Sequence, residues 1–444
     1  MFNSTIKYLL ICILITNLAG PVLAQPKDNS PFSQFGLGDF IDSDLPSAHS
    51  MGGLGAVYHD FYEANLENPA SLGFLQYTTL QIGLMAKHSN YTRIDDKQSV
   101  WNGNLNHFSL NFPVINPLNK TLERKETDFA WGTSIALKPF SQVGYNVSIS
   151  DEVDSIGTVN SNFRGYGGLY TLNWGNGFKY KNLSAGLNLG LIRGQQVFES
   201  QAAFLDLDNA YDDSFSSEIS YKGFQYRLGG MYEHPLNVTK ARDEDDNPSK
   251  LLSIGGFVSG QADLRTKSDL TKLAYNALTG DLDTAILVVD QEGDGLLPGA
   301  WGIGIMYRHA AKFRIGVDYQ GSKWSIYEND ARQSVMMDAY KIGAGGAWIP
   351  DANSITSYFK RVEYRAGFYT KKDPRVIEGS QVEEAAITFG ASFPFIIQRN
   401  IAWIQLGFDV GKRTGGDRLS DNFARANLAF VMNDNAWFIK SKYD

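Results

Sequence analysis

The chain has a single cysteine, Cys12, which lies in an apolar run near the start. Residues 25–444 therefore contain no thiol, which excludes disulfides, thiolate nucleophiles and cysteine-bound metals from that part of the chain. No stretch beyond residue 24 reaches 18 consecutive apolar residues, so a membrane-spanning helix is excluded there as well. An excess of cations is also missing. Lys+Arg total 40 against 48 Asp+Glu, for a formal net charge of −8, and nucleic acid is not an expected partner of such a chain. The histidines (His49, His59, His88, His107, His234 and His309) show no ligand spacing, so no metal site is expected. No cofactor motif is present either. The glycine cluster in MGGLG (51–55) is not a phosphate cradle, because no strand precedes it and no helix of a βαβ unit follows.

Glycine (44), Phe (27), Tyr (22) and Trp (8) are abundant, and they occur in alternating runs that suit β-structure. The first 24 residues have the parts of a secretory signal: Lys7, the apolar stretch YLLICILITNL, and Val22-Leu23-Ala24 as a cleavage site. Cys12 does not follow the small residues of a lipoprotein signal, so a cleaved signal without a lipid anchor is expected. A long exported chain without disulfides is either a large soluble β-protein or an outer-membrane barrel.

Alternation favours the barrel. Leu183, Ala185, Leu187, Leu189 and Leu191 share one face in LSAGLNLGL, and Trp301, Ile303, Ile305 and Tyr307 share one in AWGIGIMYRH. FRIGVDYQG and AWIQLGFDVG repeat the pattern, with glycine and single charges such as Arg314, Asp318 and Asp409 on the opposite face. Segments of about 9–14 residues suit a tilted bilayer span. They fall near 75–88, 104–113, 128–139, 164–177, 182–199, 217–235, 250–266, 298–310, 312–325, 335–349, 361–372, 384–394, 400–412 and 422–432, giving about fourteen strands. The links around 311–312 and 395–399 read as tight periplasmic turns. The stretches 140–163, 200–216 and 267–297 read as long external loops, within which 141–150 and 283–290 have some strand character. The expected fold is thus all-β, a transmembrane antiparallel barrel over 74–444.

Residues 25–73 lack alternation yet carry apolar anchors, including Phe32, Phe35, Leu54, Val57 and Tyr58. They read as an N-terminal plug inside the lumen, with Gly52, Gly53 and Gly55 allowing close approach to the wall. Val57, Phe61, Tyr62 and Leu66 recur at near-helical spacing and predict a short helix. Pro69 would end it, holding Asn68 extended. Two other motifs carry little chemistry. DQEGDG (290–295) opens like a calcium loop, but its twelfth position is Trp301. His107-Phe108-Ser109 has the spacing of barrel lipases, but alternation turns both polar residues inward and no third residue orients the imidazole. No enzyme activity is expected.

The cleaved signal, Met51-Gly52-Gly53-Leu54-Gly55, Asn68-Pro69-Ala70 and about fourteen strands together resemble the FadL-type outer-membrane transporters of hydrophobic compounds. The opening SPFSQFGLGD (30–39) and the ending NDNAWFIKSKYD (433–444) are similar to a branch of that superfamily. The resemblance implies passive uptake of a hydrophobic small molecule, such as a long-chain fatty acid, across the bacterial outer membrane. It implies a plug that gates the lumen through Gly52, Gly53, Gly55, Asn65, Asn68, Pro69 and Ala70, and cargo release through a lateral opening at a kinked strand. Phe61, Tyr62, Arg227, Arg308, Arg314 and Arg365 are the candidate ligand contacts. The four arginines are also candidate lumen ion-pair partners for Asp318, Asp409 or Glu363. Expected partners are the hydrophobic ligand and outer-membrane lipids. The long loops leave open a second class, a non-transporting barrel subunit of a secretion or assembly complex with an envelope protein as partner.

Overall fold

The computed structural model describes residues 30–434 except 43–44, 94–95, 116–127, 155, 208–210, 237–249, 277–278, 311, 398–399 and 417–418. The signal segment, the acidic stretch RDEDDNP at 242–248, expected from sequence as a turn, and the closing residues 435–444 lie outside the described residues.

Fourteen antiparallel strands form a closed wall. They are β1 (Thr78–Arg93), β2 (Asp96–Pro113), β3 (Phe129–Val153), β4 (Gly157–Tyr180), β5 (Leu183–Phe204), β6 (Tyr211–Pro235), β7 (Lys250–Ser259), β8 (Ala300–His309), β9 (Phe313–Ser322), β10 (Ala339–Trp348), β11 (Glu363–Ile377), β12 (Ser380–Ile397), β13 (Asn400–Gly415) and β14 (Leu419–Asp434). β14 pairs back onto β1 from Leu419↔Arg93 to Asp434↔Thr78, which closes the cylinder. Every segment expected from alternation is a strand of this wall.

The outer face carries a belt of exposed apolar side chains, among them Leu172, Trp174, Leu187, Leu191, Phe224, Tyr226, Leu228, Ile303, Ile305, Ile315, Val317, Phe408 and Val410. Such a belt suits lipid, because water would penalise that area. Beyond the belt the apolar face changes sides. Leu191 points outward and is 46% exposed, whereas Ile192 is fully buried; Phe224 points outward, whereas Tyr221 and Ile219 are buried. These inward residues join Leu37, Leu169, Phe198, Leu264, Trp324 and Tyr327 in one core. The solvent outside has changed from lipid to water, so the apolar residues move inside.

The expected loops 140–163, 200–216 and 267–297 are therefore largely strand. β3 with β4 and β5 with β6 continue past the belt, and β6 extends onto Ala262–Asn276, which pairs with Leu282–Gly293. The polar outer face of these extensions removed the alternation by which a lipid-bathed strand is recognised.

Residues 30–77 run inside the wall. Among its described residues the helical turns are Pro31–Gln34, Pro46–His49 and Pro69–Phe74. The helix expected over Val57–Leu66 is absent and turns and bends occupy its place. Asn65 explains the difference: its side chain donates to Gly55 O (2.7 Å) and Tyr58 O (2.8 Å), replacing helical bonds with turn chemistry. Asn68 is extended (φ −113°, ψ 107°) before Pro69 as expected, but it opens a 3₁₀ turn by accepting from Ala70 N.

Candidate functional site

The inner segment meets the wall at places where both surfaces lack side chains. Gly52 has φ +80° and Gly53 φ +77°, a region that favours glycine. A Cβ on Gly52 would lie 2.7 Å from Ala344 O and still nearer Phe368 O. From the other side, a Cβ on Gly345 would lie 2.5 Å from Met51 O, and one on Gly343 would overlap Gly52 O. Gly55 faces Gln320 and Glu67. Asn68, fully buried, donates to Ala56 O (2.6 Å) and to Gly256 O on β7 (3.1 Å). Pro69 and Ala70 sit against Gly186 of β5 and Gly229 of β6, while Asn65 stays within the segment. All seven residues expected at the gate thus lie in the inner segment; Gly52, Gly55, Asn68, Pro69 and Ala70 lie at its contact with the wall, whereas Gly53 and Asn65 bond within the segment.

Charge fastens the same contact. Asp39 pairs with Arg375 and with Arg413 (3.0 Å), and Asp42 with Lys371 (2.8 Å) and Lys341 (3.9 Å). Asp60 pairs with Arg314 (3.0 Å), and Glu67 with Arg227 and Lys138 (2.7 Å). Burial works against the Asp39, Asp42 and Glu67 carboxyls, but their paired cations outweigh it and hold all three far below the usual range. Burial likewise opposes the Asp60 charge, and Arg314 keeps its carboxyl below normal. Glu63 is the exception, since burial pushes its carboxyl up although it accepts from Gln405 Nε2 (2.6 Å) and Tyr58.

Five of the six expected ligand contacts meet. Phe61, Tyr62, Arg308, Arg314 and Arg365 line a cavity of about 200 Å³ with Trp403, Lys312 and Glu363. It lies at the end of the barrel where the β8–β9 turn falls. Arg227 does not belong to it. It lines a separate cavity of about 230 Å³ on the opposite side of the segment, with Phe40, Phe140, Phe257, Trp324 and Lys341. The arginines do take lumen acids as partners: Glu363 pairs with Arg314 (3.0 Å) and Arg365 (2.6 Å), and Glu233 pairs with Arg308 (3.5 Å). Of the other two acids, Asp318 accepts from Ala56 N and Asp409 pairs with Arg425 and His49. His107 and Ser109 point inward and are fully buried, and Ser109 donates to Gln81 rather than to the imidazole.

Sequence reasoning did not find Lys138, Lys341, Lys371, Arg375 and Arg413, the wall cations that hold the segment. A signal was available. Between Lys27 and Lys87 the chain has no Lys or Arg, yet it carries Asp39, Asp42, Asp60, Glu63 and Glu67. An acidic insert implies a basic container.

The wall itself is incomplete at one place. β2 and β3 pair only from Phe108↔Leu137 to Pro113↔Gly132. Beyond that point β2 keeps only its pairing with β1, and β3 only that with β4. Just past the last pair, Pro139 brings no N–H to β3, and the register of β3 against β4 slips at Phe140. The inner segment covers the exposed edge, with Asp39 opposite Gln142 and Phe40 opposite Ser141. A hydrogen bond from Asn104 to Gln142 bridges the gap.

Solved structures share this architecture. The Pseudomonas putida toluene transporter TodX has a TM-score of 0.55 at 14% identity, over 87% of this chain and 97% of its own. A Pseudomonas aeruginosa FadL homologue has 0.54 at 11% identity, over 88% and 98%. The CymD monoaromatic hydrocarbon channel has 0.51 at 13% identity, over 90% and 99%. At such identities the likeness is one of fold, and the expected FadL-type kinship holds at that level. No curated protein sequence matches the chain. The family model that matches is BamG, over residues 5–444, and the chain belongs to the BamG family.

Proposed function

We propose that the protein is an outer-membrane channel for passive uptake of hydrophobic small molecules, gated by residues 25–73 as a plug after export by a cleaved signal. The observation that carries this reading is the gap between β2 and β3, closed from within by Asp39 and Phe40. A ladder interrupted beside an insert, in a wall whose other neighbouring strands pair among the described residues, provides a sideways route out of the lumen. The aromatic lining of the two cavities supports an apolar cargo, and the fold likeness to TodX and CymD agrees with it. Phe61, Tyr62, Arg308, Arg314 and Arg365 contact the cargo at one end, and Arg227 at the other. The reading includes no catalytic step.

An engineered disulfide tests the gate. Phe40 and Ser141 are direct cross-strand partners, so Phe40→Cys with Ser141→Cys has the Cα geometry a disulfide needs. Cys12 is the only competing thiol, and signal cleavage removes it. Under oxidising conditions the double variant should lose uptake of a monoaromatic hydrocarbon or a fatty acid, and reductant should restore it. Uptake unchanged by a confirmed crosslink would exclude the gate.

The second reading is a barrel subunit of an envelope complex. The strand extensions beyond the belt favour it, because they form a large wet surface that uptake does not require. Crosslinking in intact cells that captures only this chain would remove it.

A further inference from the structure

The extensions beyond the belt form an open sheet of six strands: the far halves of β3, β4, β5 and β6, then Ala262–Asn276, then Leu282–Gly293. Among the described residues, Leu282–Gly293 pairs on one side only. Its other edge presents unpaired N–H and C=O groups, a template for another strand.

Its composition is unusual for a strand wet on both faces. Ala285-Ile286-Leu287-Val288-Val289 is a continuous apolar run, with Ile286 43%, Leu287 65% and Val289 60% exposed. Lipid does not account for it. Leu287 lies level with Thr271, and Thr271 with Ser216 of β6. Ser216 is eight residues beyond Phe224, the last belt residue on that strand, which puts the run roughly 25 Å along the strand beyond lipid.

Charge selects the guest. Residues 281–294 contain Asp281, Asp283, Asp290, Glu292 and Asp294 and no Lys or Arg. A second copy is a poor guest. Antiparallel self-pairing centred on Leu287 sets Asp283 opposite Gln291, between Asp290 and Glu292 of the other copy, and parallel pairing in register sets every acid against itself. The ladder also breaks at Ala285 and at Val289–Asp290, which confines a guest to a short register and blunts unselective pairing.

We propose that the free edge of Leu282–Gly293 is a docking site for an extended segment of another protein, with an apolar centre flanked by Lys or Arg, added as a seventh strand. This names the partner chemistry for the second reading above and rests on that reading for its biological use, while being independent of uptake.

The test uses the full chain in detergent and a labelled peptide, Lys-Lys-Val-Thr-Val-Ile-Thr-Val-Lys-Lys, with a glutamate-flanked control. The basic peptide should bind saturably, about tenfold or more tighter than the control, and slow amide exchange across 284–289. Leu287→Pro should abolish both effects. Asp283→Lys with Glu292→Lys should invert the flank preference. Equal binding to the Leu287→Pro variant would show adsorption to an acidic surface and overturn the proposal. So would no binding at all, or self-association that Leu287→Pro abolishes while the peptide stays inert. A chain that binds the peptide but is captured alone in cells keeps the edge and loses the complex, so the two failures are distinct.

Discussion

The inner segment and the wall around it satisfy their backbones by opposite means. The wall does it by repetition: each strand bonds to two neighbours, and β13 and β14 alone match fourteen consecutive residue pairs. The segment has almost no ladder. Its polar groups are met one at a time, by Asn65, Asn68, Thr388 and Asp318. Wall residues at the contact are often glycine, whereas the segment supplies carbonyls. A repeating structure spreads its stability over many equivalent bonds. A structure met residue by residue concentrates it, so single changes in the segment should cost far more than similar changes in the wall.

The largest effect is expected from Gly52→Val with Gly53→Val. Both residues have positive φ, which costs a β-branched side chain about 1–2 kcal/mol each before any clash. The added atoms at 52 would also enter backbone oxygens of β10 and β11. Most of the double variant should fail to reach the heat-modifiable folded form on a gel. A normal yield of that form would show that the segment yields to the wall, and the comparison would lose its first support.

Glu67→Gln comes next. Glu67 is the shared partner of Lys138 and Arg227, so its loss leaves two largely buried cations uncompensated. Losing one member of such a cluster costs about 3 kcal/mol or more. The wall has its ladders without this pair and should stay folded. Amide exchange should therefore rise in residues 54–75 and remain slow in β4 to β6; a uniform rise would mean the two regions unfold as one.

The difference in construction also decides what could be read from the sequence. Fourteen strands were legible because lipid on one side enforces a period of two. Where water replaces lipid the apolar face crosses from Leu191 to Ile192, the outward pattern vanishes, and strands read as loops. Within the lumen periodicity has no meaning, because Val57 and Tyr58 are both fully buried on neighbouring positions. A helix read from Val57, Phe61, Tyr62 and Leu66 assumed one wet face that does not exist. The glycines and Asn68-Pro69 were legible, since their backbone demands are local. Asp39, Asp42 and Glu67 were not, because their partners lie at least 71 residues away in sequence.

Acid should separate the regions more gently. The carboxyls of Asp39, Asp42, Asp60 and Glu67 lie below their ordinary values when folded. Between the folded and unfolded values the unfolded chain binds more protons. Their stabilisation is therefore complete above pH of about 4 and fades as pH falls further. Protease access to the segment should be flat from about pH 8 to 5 and rise below about 4, before the wall melts. Access that rises already between pH 7 and 5 would place the controlling group elsewhere.

The smallest effect belongs to a glycine of the wall. Gly230 lies on β6 between Leu228 and Tyr232, both exposed on the lipid belt, and a Cβ there would meet nothing within 4 Å. Gly230→Val makes the same chemical change as at Gly52, but on a strand where a β-branched side chain is favoured and lipid accepts it. Folded yield and segment protection should match the unaltered chain, with any shift within about 1 kcal/mol and towards greater stability. If Gly230→Val were as damaging as the change at Gly52 and Gly53, the cost of valine would lie in strand assembly itself. The close approach between segment and wall would then explain neither result.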